Sequence, residues 1–254
     1  MFDLAVVDLA VVIDDVGYNK SRGLRAIQLP AEITIAILPF APHTQKLASA
    51  ANKAGKDLII HQPMEAIPAP HVRREHDTLT TDMSPAQFDA AIERAIAAVP
   101  LTRGFSNHTG SLLTTQREPM RRFMQHLSNR NMLFLDSRTT AQTVALQVAN
   151  EFGVPAIRRD VFLDHERTTS AIEDAFAKAI RIARQRGYAV VVGHPYPVTL
   201  DFLERTLLEL PSDINLIGIS ELTAKRHALR SASTNLRELA LGRDQVNLHI
   251  SLGQ

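Results

Sequence analysis

The sequence of 254 residues contains no cysteine and no tryptophan, and aromatic residues make up only 5% of it. Without cysteine the chain has no disulfide framework, no thiolate nucleophile and no cysteine-ligated zinc site. Any bound metal must therefore be held by histidine, aspartate, glutamate or water. The scarcity of aromatic rings also argues against a long open groove that stacks sugar rings, for which Tyr18, Phe40 and Tyr196 are the few candidates.

The chain also lacks an excess of charge of one sign and any long apolar run. The 28 Lys and Arg residues against 27 Asp and Glu give a net charge of +1, so we expect no nucleic-acid partner. No apolar run reaches the roughly 20 residues that span a bilayer. The N-terminus has no basic n-region, and Asp3 and Asp8 interrupt its apolar residues, so we expect no signal peptide here. A targeting segment, if the protein is exported, is expected outside this sequence.

What the sequence does contain is a regular alternation of short apolar runs and amphipathic helical stretches. Continuous apolar runs are typical of parallel strands whose sheet is covered by helices on its outer face. Eight such runs predict strands: Ala10–Ile13, Ile33–Leu38, Asp57–Ile60, Gly104–Asn107, Met132–Leu135, Val154–Arg158, Ala189–Gly193 and Asn215–Ile219. The pattern predicts an α/β fold with one mainly parallel (β/α) barrel, and an open doubly wound sheet is the alternative.

Helix ends and domain limits can also be read from the sequence. Ser84-Pro85-Ala86-Gln87 is a capping box that predicts a helix start, and this helix must end before Pro100. Further helices are predicted from Ser170 to Arg186 and from Thr199 to Leu210. No linker divides the chain, so residues 1–229 are predicted to form one barrel domain. A C-terminal helix and extension over residues 230–254 are predicted to belong to the same domain.

Polar residues gather at the carboxyl ends of the predicted strands, where parallel α/β folds place their functional sites. Six strand ends carry ionisable or metal-binding groups: Asp14-Asp15, His61, Asn107-His108, Asp136, Arg159-Asp160 and His194. Their convergence on one face of the sheet predicts an active site.

The first two of these groups also have structural interpretations. Asp14 and Asp15 fit a β-turn, and adjacent strand residues point to opposite sides, so they share one task only if the strand has already turned. An isolated histidine such as His61 is more often structural than a ligand. Glu65 could be a second ligand only if its segment turns helically, which Pro63 opposes.

Taken together, His61, His108 and Asp15 form a suitable ligand set for Zn²⁺ or a related ion, with positions open for water and substrate. His194 lies in a loop stiffened by two prolines and is the candidate for a general acid. Structural roles, a polar loop for His108 and a cap of the sheet end for His194, are the alternatives.

Charged residues near two other strand ends offer partners for these histidines. Asp136-Ser137-Arg138 and Arg159-Asp160 could orient an imidazole or shift its pKa. The alternative is that they form buried structural ion pairs near the barrel rim.

Four segments carry a resemblance to a known family: Val12-Ile13-Asp14-Asp15-Val16-Gly17, Gly55-Lys56-Asp57-Leu58-Ile59-Ile60-His61, Arg103-Gly104-Phe105-Ser106-Asn107-His108 and Val191-Val192-Gly193-His194. The chain resembles the polysaccharide deacetylase superfamily (the NodB homology domain), and most closely its divergent branch of bacterial envelope proteins. The resemblance extends from about Leu9 to Leu222. It implies a distorted (β/α) barrel of seven strands, so one of the eight strand signals is expected to be a loop or an outer strand.

The resemblance also implies roles for particular residues. Asp14 would be the catalytic base, Asp15 and His61 metal ligands, and His194 the general acid. The family's second motif has a further histidine where this chain has Glu65, and we suggest that His108 compensates for it. Supporting or substrate-binding roles are expected for Glu65, Asn107, Asp136, Arg138, Asp160 and Tyr196.

The implied activity is metal-dependent removal of acetyl groups from a polysaccharide in the periplasm or cell envelope, with zinc as the expected ion. Two alternatives remain open. The first is an inactive carbohydrate-binding envelope protein on the same barrel, and the second is a hydrolase acting on C–N bonds outside carbohydrates.

Overall fold

The chain alternates between strands and helices in this computed structural model, which describes residues 6–30, 32–68, 75, 77–230 and 232. The strands are β1 (Val7–Val16), β2 (Thr34–Ile37), β3 (Leu58–Met64), β4 (Gly104–Thr109), β5 (Leu133–Asp136), β6 (Ala156–Arg158), β7 (Val161–Phe162), β8 (Tyr188–Gly193) and β9 (Ile214–Leu216). The helices are α1 (Lys20–Gln28), α2 (Thr44–Lys53), α3 (Pro85–Ala98), α4 (Arg117–Ser128), α5 (Ala145–Glu151), α6 (Thr169–Arg186), α7 (Pro197–Thr206) and α8 (219–230). A short 3₁₀ helix covers Leu113–Thr115.

The strands form one curled sheet in which every pairing is parallel. The strand order is β6-β5-β4-β3-β2-β1-β8-β7. Strand β9 pairs with the start of β1 at Val7–Leu9, while β2 pairs with the end of β1 from Val12 onward. The architecture is an eight-stranded parallel half-barrel, with β9 added beside the start of β1, and it confirms the predicted NodB-like α/β barrel.

The predicted strands all fall on observed ones, but one strand was missed. The eight apolar runs correspond to β1 to β6, β8 and β9. Strand β7 contains only Val161 and Phe162, too short a run to stand out in the sequence. The helix predicted from Thr199 to Leu210 instead runs from Pro197 to Thr206, because proline is favoured in the first helical turn.

The two faces of the sheet pack into different cores. Leu9, Val11 and Ile13 of β1 belong to the larger core, which also contains the buried faces of the helices. Ala10 and Val12 belong to a smaller core lined by alternate residues of the other strands and closed by residues of α8. Because side chains alternate along a strand, the second set faces the interior of the half-barrel. This alternation decides which polar residues point inward at the strand ends.

Helix α3 begins with the capping box that the sequence predicts. The Ser84 hydroxyl accepts a hydrogen bond from the Gln87 backbone N–H, and the Gln87 side chain accepts one from the Ser84 N–H. Pro85 occupies the first turn, and α3 ends at Ala98, before Pro100. The sequence therefore sets both ends of this helix.

Replacing Ser84 tests how much this cap contributes to stability. We expect Ser84→Ala to lower the free energy of unfolding by about 1 kcal/mol, because the Gln87 N–H loses its acceptor. Ser84→Gly should cost only a few tenths of a kcal/mol, since glycine is itself a favourable N-cap residue. Urea unfolding of both variants measures the difference, and equal losses would contradict the role of the hydroxyl.

The predicted C-terminal helix and extension over 230–254 lie outside the described residues, apart from Arg230 and residue 232. Their assignment to the barrel domain stays a prediction. Within the described ranges, no helix is both long enough and apolar enough to cross a membrane.

Candidate active site

Three of the predicted site residues continue the inward-facing set of their strands. Asp14, His61 and His194 each follow an inward core residue of β1, β3 or β8 by two positions. Because Ile13 pairs with Gly193, Asp14 and His194 leave the sheet side by side. The alternation of strand side chains therefore delivers these groups to one point at the top of the half-barrel.

Asp15 reaches the same point because the strand has turned. Its φ of 57° lies in the left-handed region, and the register between β1 and β2 shifts between Ile13 and Val16. Oδ1 of Asp15 and Oδ2 of Asp14 lie 3.2 and 3.6 Å from Nε2 of His61. Both carboxylates therefore face the same imidazole, because the strand has turned at Asp15.

Asp15, His61 and His108 form a cluster in which one ligand atom from each residue lies within 4.8 Å of the others. Oδ1 of Asp15 is 2.9 Å from Nδ1 of His108. Nδ1 of His108 and Nε2 of His61 are 3.2 Å apart. The Ser106 hydroxyl is hydrogen-bonded to Nδ1 of His61 at 2.7 Å, which leaves Nε2 of that ring for the cluster.

The cluster has the composition and the unsatisfied atom expected of a metal site. Oδ1 of Asp15 is buried 2.9 and 3.2 Å from imidazole nitrogens of His108 and His61, but neither contact has the geometry of a hydrogen bond. A buried carboxylate oxygen that lies between two imidazole nitrogens is satisfied by a divalent cation. One carboxylate and two imidazoles also leave coordination positions open, as catalytic zinc sites require. These residues therefore fit the ion that the sequence predicts.

The electrostatics of the cluster favour positive charge at this point. Burial alone would raise the pKa of Asp15, but the imidazoles of His108 and His61 hold it well below its usual range. Burial alone would lower the pKa of His108, but the carboxylates of Asp15 and Glu75 raise it to about 10. The carboxylates thus stabilise a proton between them, and the same field stabilises a cation.

Asp14 lies beside the cluster and is only 1% exposed. Its Oδ1 atom is buried without a hydrogen-bond partner among the described residues. Burial raises the pKa of the Asp14 carboxyl, an effect larger than the opposing attraction of His61 and His194. A carboxylate with a raised pKa and a free oxygen is suited to accept a proton.

His194 is held by Asp164, a residue that the sequence analysis did not identify. Nδ1 of His194 donates to Oδ1 of Asp164 at 2.8 Å, and the His194 backbone N–H donates to Oδ2 at 2.6 Å. The Thr199 hydroxyl also donates to Oδ2. Because a carboxylate can only accept hydrogen bonds, Nδ1 of His194 carries a proton. The other ring nitrogen, Nε2, faces the site and lies 3.7 Å from Oδ2 of Asp15.

Two aromatic rings pack against the His194 ring, and each of them carries a guanidinium group. The Phe162 ring stacks on the His194 ring with their centroids 5.7 Å apart. The centroid of the Tyr196 ring lies 5.4 Å from that of His194, and the planes of these two rings are tilted by 37°. Arg159 lies 3.7 Å from the Phe162 ring centroid, and Arg167 lies 3.8 Å from that of Tyr196 and donates to its hydroxyl. Tyr196 thus contacts the predicted general acid directly.

Five predicted supporting residues lie outside the cluster: Glu65, Asn107, Asp136, Arg138 and Asp160. The Glu65 carboxylate accepts hydrogen bonds from the backbone N–H and the hydroxyl of Thr81. Asp160 accepts from the Arg186 guanidinium and from the backbone N–H of Val190. In this structure both carboxylates contact residues outside the cluster.

Asn107 and Asp136 follow the outward alternation of their strands and organise loops. Oδ1 of Asn107 accepts from the Ser137 N–H, and the Asn107 amide donates to the Thr109 carbonyl. Asp136 accepts from the Arg138 N–H and from Thr143, and burial raises its pKa. The Arg138 side chain is exposed. These contacts connect the ends of β4 and β5.

Three residues of the site gave no usable signal in the sequence analysis. Asp164 follows the two-residue strand β7, so it did not register as a strand end. Ser106 is an ordinary inward residue of β4, paired with His61. Glu75 lies in the long connection between β3 and α3, where no periodicity indicates its direction.

The chain belongs to a recognised family. Residues 11–223 match the family described as divergent polysaccharide deacetylase. The uncharacterized protein YibQ of Escherichia coli (strain K12) is 37% identical over 214 residues, which are 84% of this chain and 66% of that protein. This chain therefore matches just under two thirds of the length of YibQ.

Solved structures share the fold. The uncharacterized protein ATU2773 of Agrobacterium tumefaciens C58 has a TM-score of 0.82 at 24% identity, covering 86% of this chain and 89% of that one. Peptidoglycan deacetylase PdaC of Bacillus subtilis has a TM-score of 0.51 at 12% identity, covering 93% of this chain and 98% of PdaC. At these identities the likeness establishes the common barrel.

Proposed function

We propose that this chain is a metal-dependent hydrolase that removes acetyl groups from a sugar polymer of the cell envelope. The observation that carries the proposal is the Asp15–His61–His108 cluster, with Asp14 and His194 beside it. Membership of the divergent polysaccharide deacetylase family supports the reaction class. The shared fold with a peptidoglycan deacetylase supports a polymeric substrate and an envelope location.

The proposed ligands of the ion are Asp15, His61 and His108, and zinc suits this nitrogen and oxygen donor set. When bound, a divalent ion supplies a Lewis acid for the acetyl carbonyl and the attacking water. Ser106 holds the His61 ring so that Nε2 faces Asp15 and His108, where the ion would bind. The protein thereby provides three fixed ligands and leaves room for substrate.

Asp14 and His194 would divide the proton transfers of the hydrolysis. Oδ1 of Asp14 takes the proton of the water whose oxygen bonds to the acetyl carbon. Nε2–H of the protonated His194 then donates to the leaving nitrogen or oxygen as the C–N or C–O bond breaks. The products are acetate and the free amine or alcohol. Asp164 keeps the His194 ring oriented with Nε2 toward the site.

The metal content of the purified protein tests the first part of this proposal. We expect near-stoichiometric zinc or another divalent ion in protein prepared without chelator, and at least about a tenfold loss in Asp15→Asn, because a ligand is removed. Asp14→Asn is the matched control, since Asp14 lies next to Asp15 in the chain but is not a proposed ligand. Elemental analysis of the three proteins makes the comparison.

The opposite result would favour the alternative function. If wild type and variant contain no metal even after incubation with excess ion, the chain is better described as a carbohydrate-binding protein on the same barrel. A metal-loaded protein that cleaves small amides but no acetylated sugar would favour a hydrolase outside carbohydrate chemistry. A screen that includes both substrate classes separates these outcomes.

A further inference from the structure

The two histidines of the cluster use different ring nitrogens. His61 presents Nε2 to the cluster, and its Nδ1 is hydrogen-bonded to Ser106. His108 presents Nδ1, 2.9 Å from Oδ1 of Asp15, so its Nε2 points away from the cluster. Nε2 of His108 lies 3.4 Å from Oε1 of Glu75. Each ring therefore has a polar partner on the nitrogen that does not face the cluster.

Glu75 is held in place by its own backbone and by neighbours. Its carbonyl oxygen accepts hydrogen bonds from the N–H and the hydroxyl of Thr78. Asp77 is bound by both Nε and a terminal nitrogen of Arg94. These contacts tie this end of the β3–α3 connection to α3. The Glu75 side chain is 26% exposed, and its carboxylate contacts both His108 and the Tyr18 hydroxyl.

We propose that Glu75 is a positioning residue for the metal site. Its carboxylate accepts a hydrogen bond from Nε2–H of His108 and thereby leaves Nδ1, directed at Asp15 and His61, as the nitrogen available to the ion. This inference rests on the proposed metal-dependent function. With Glu75 in this role, His108 of β4 can serve as the ligand for which the resembled family motif has a second histidine.

The physical reason is the proton count of a neutral imidazole. Neutral histidine carries one proton, so Nδ1 can ligate only if the proton is on Nε2. A carboxylate beside Nε2 favours that tautomer, orients the ring and increases the donor strength of the other nitrogen. Loss of such a partner typically costs 10- to 100-fold in metal affinity.

Zinc affinity of purified variants tests the proposal without depending on catalysis. Competition with a chelating dye should show Glu75→Ala binding zinc about 10- to 100-fold more weakly than wild type. Glu75→Gln should lie between the two, because its amide oxygen still accepts a hydrogen bond but lacks the charge. The absorption bands of the Co²⁺-substituted protein should change in Glu75→Ala, since the ligand geometry at His108 changes.

Asp77→Asn is the matched control, because it weakens the ion pair with Arg94 in the same connection and Asp77 is not part of the proposed metal site. Wild-type affinity in this variant together with a loss in both Glu75 variants supports the proposal. An equal loss in Asp77→Asn assigns the effect to the connection as a whole and overturns it. Wild-type affinity in both Glu75 variants, with zinc lost in Asp15→Asn, overturns the role of Glu75 and leaves the metal site standing. A wild-type protein that binds no zinc overturns both proposals.

Discussion

Asp14→Asn is expected to lose about 10³-fold or more in turnover on an acetylated sugar polymer that the wild type cleaves. General base catalysis contributes about 10²- to 10⁴-fold, and Asp14 provides the buried carboxylate oxygen without a partner at this point. The amide has the same shape but cannot accept the proton of the attacking water. Release of acetate measured at saturating substrate gives the effect on kcat directly.

The neighbouring carboxylate provides the control for this experiment. Asp14→Asn and Asp15→Asn change adjacent residues in the same way, yet only the second removes a proposed ligand. We expect Asp14→Asn to retain its metal and its unfolding temperature while losing activity. Full activity of Asp14→Asn would remove the base assignment, and loss of metal from it would place Asp14 among the ligands instead.

Much of the fold could be predicted because its signals are local. The apolar runs of strands β1 to β6, β8 and β9 and the capping box at Ser84 are short patterns that tertiary contacts did not override. Strand β7 was missed because Val161 and Phe162 obtain their partners from β8, far away in the sequence. The extent of curling also depends on pairings between distant segments, which no local pattern shows.

The direction of a site residue could be predicted where the alternation of a strand extends to that residue. It could not be predicted where the backbone departs from this alternation. Asp14, His61 and His194 follow from counting two residues beyond an inward position. Asp15 does not, because its inward direction depends on a left-handed residue and a register shift. Glu75 could not be found from the sequence, since the course of a long connection determines where it lies.

Asp164→Asn should reduce kcat on an acetylated amino sugar by about 100-fold with little change in KM. The variant replaces the acceptor of the Nδ1–H bond, so the His194 ring loses the charge and the orientation that keep Nε2 directed at the site. Burial would lower the pKa of His194, and Asp164 is the largest opposing influence that raises it. Steady-state kinetics of the two proteins measure the split between kcat and KM.

An activated ester distinguishes this role from a structural one. A nitrophenyl acetate releases a phenolate that needs no proton, so its hydrolysis does not require a general acid. We expect Asp164→Asn to keep most of its activity on this ester while losing it on the amide, because only the amide nitrogen must be protonated. Thr199→Val is the control, since it removes a different hydrogen bond to the same carboxylate and leaves the bond to His194 in place. Equal losses on both substrates would show that Asp164 maintains the structure of the site, and His194 would then need another partner to act as the acid.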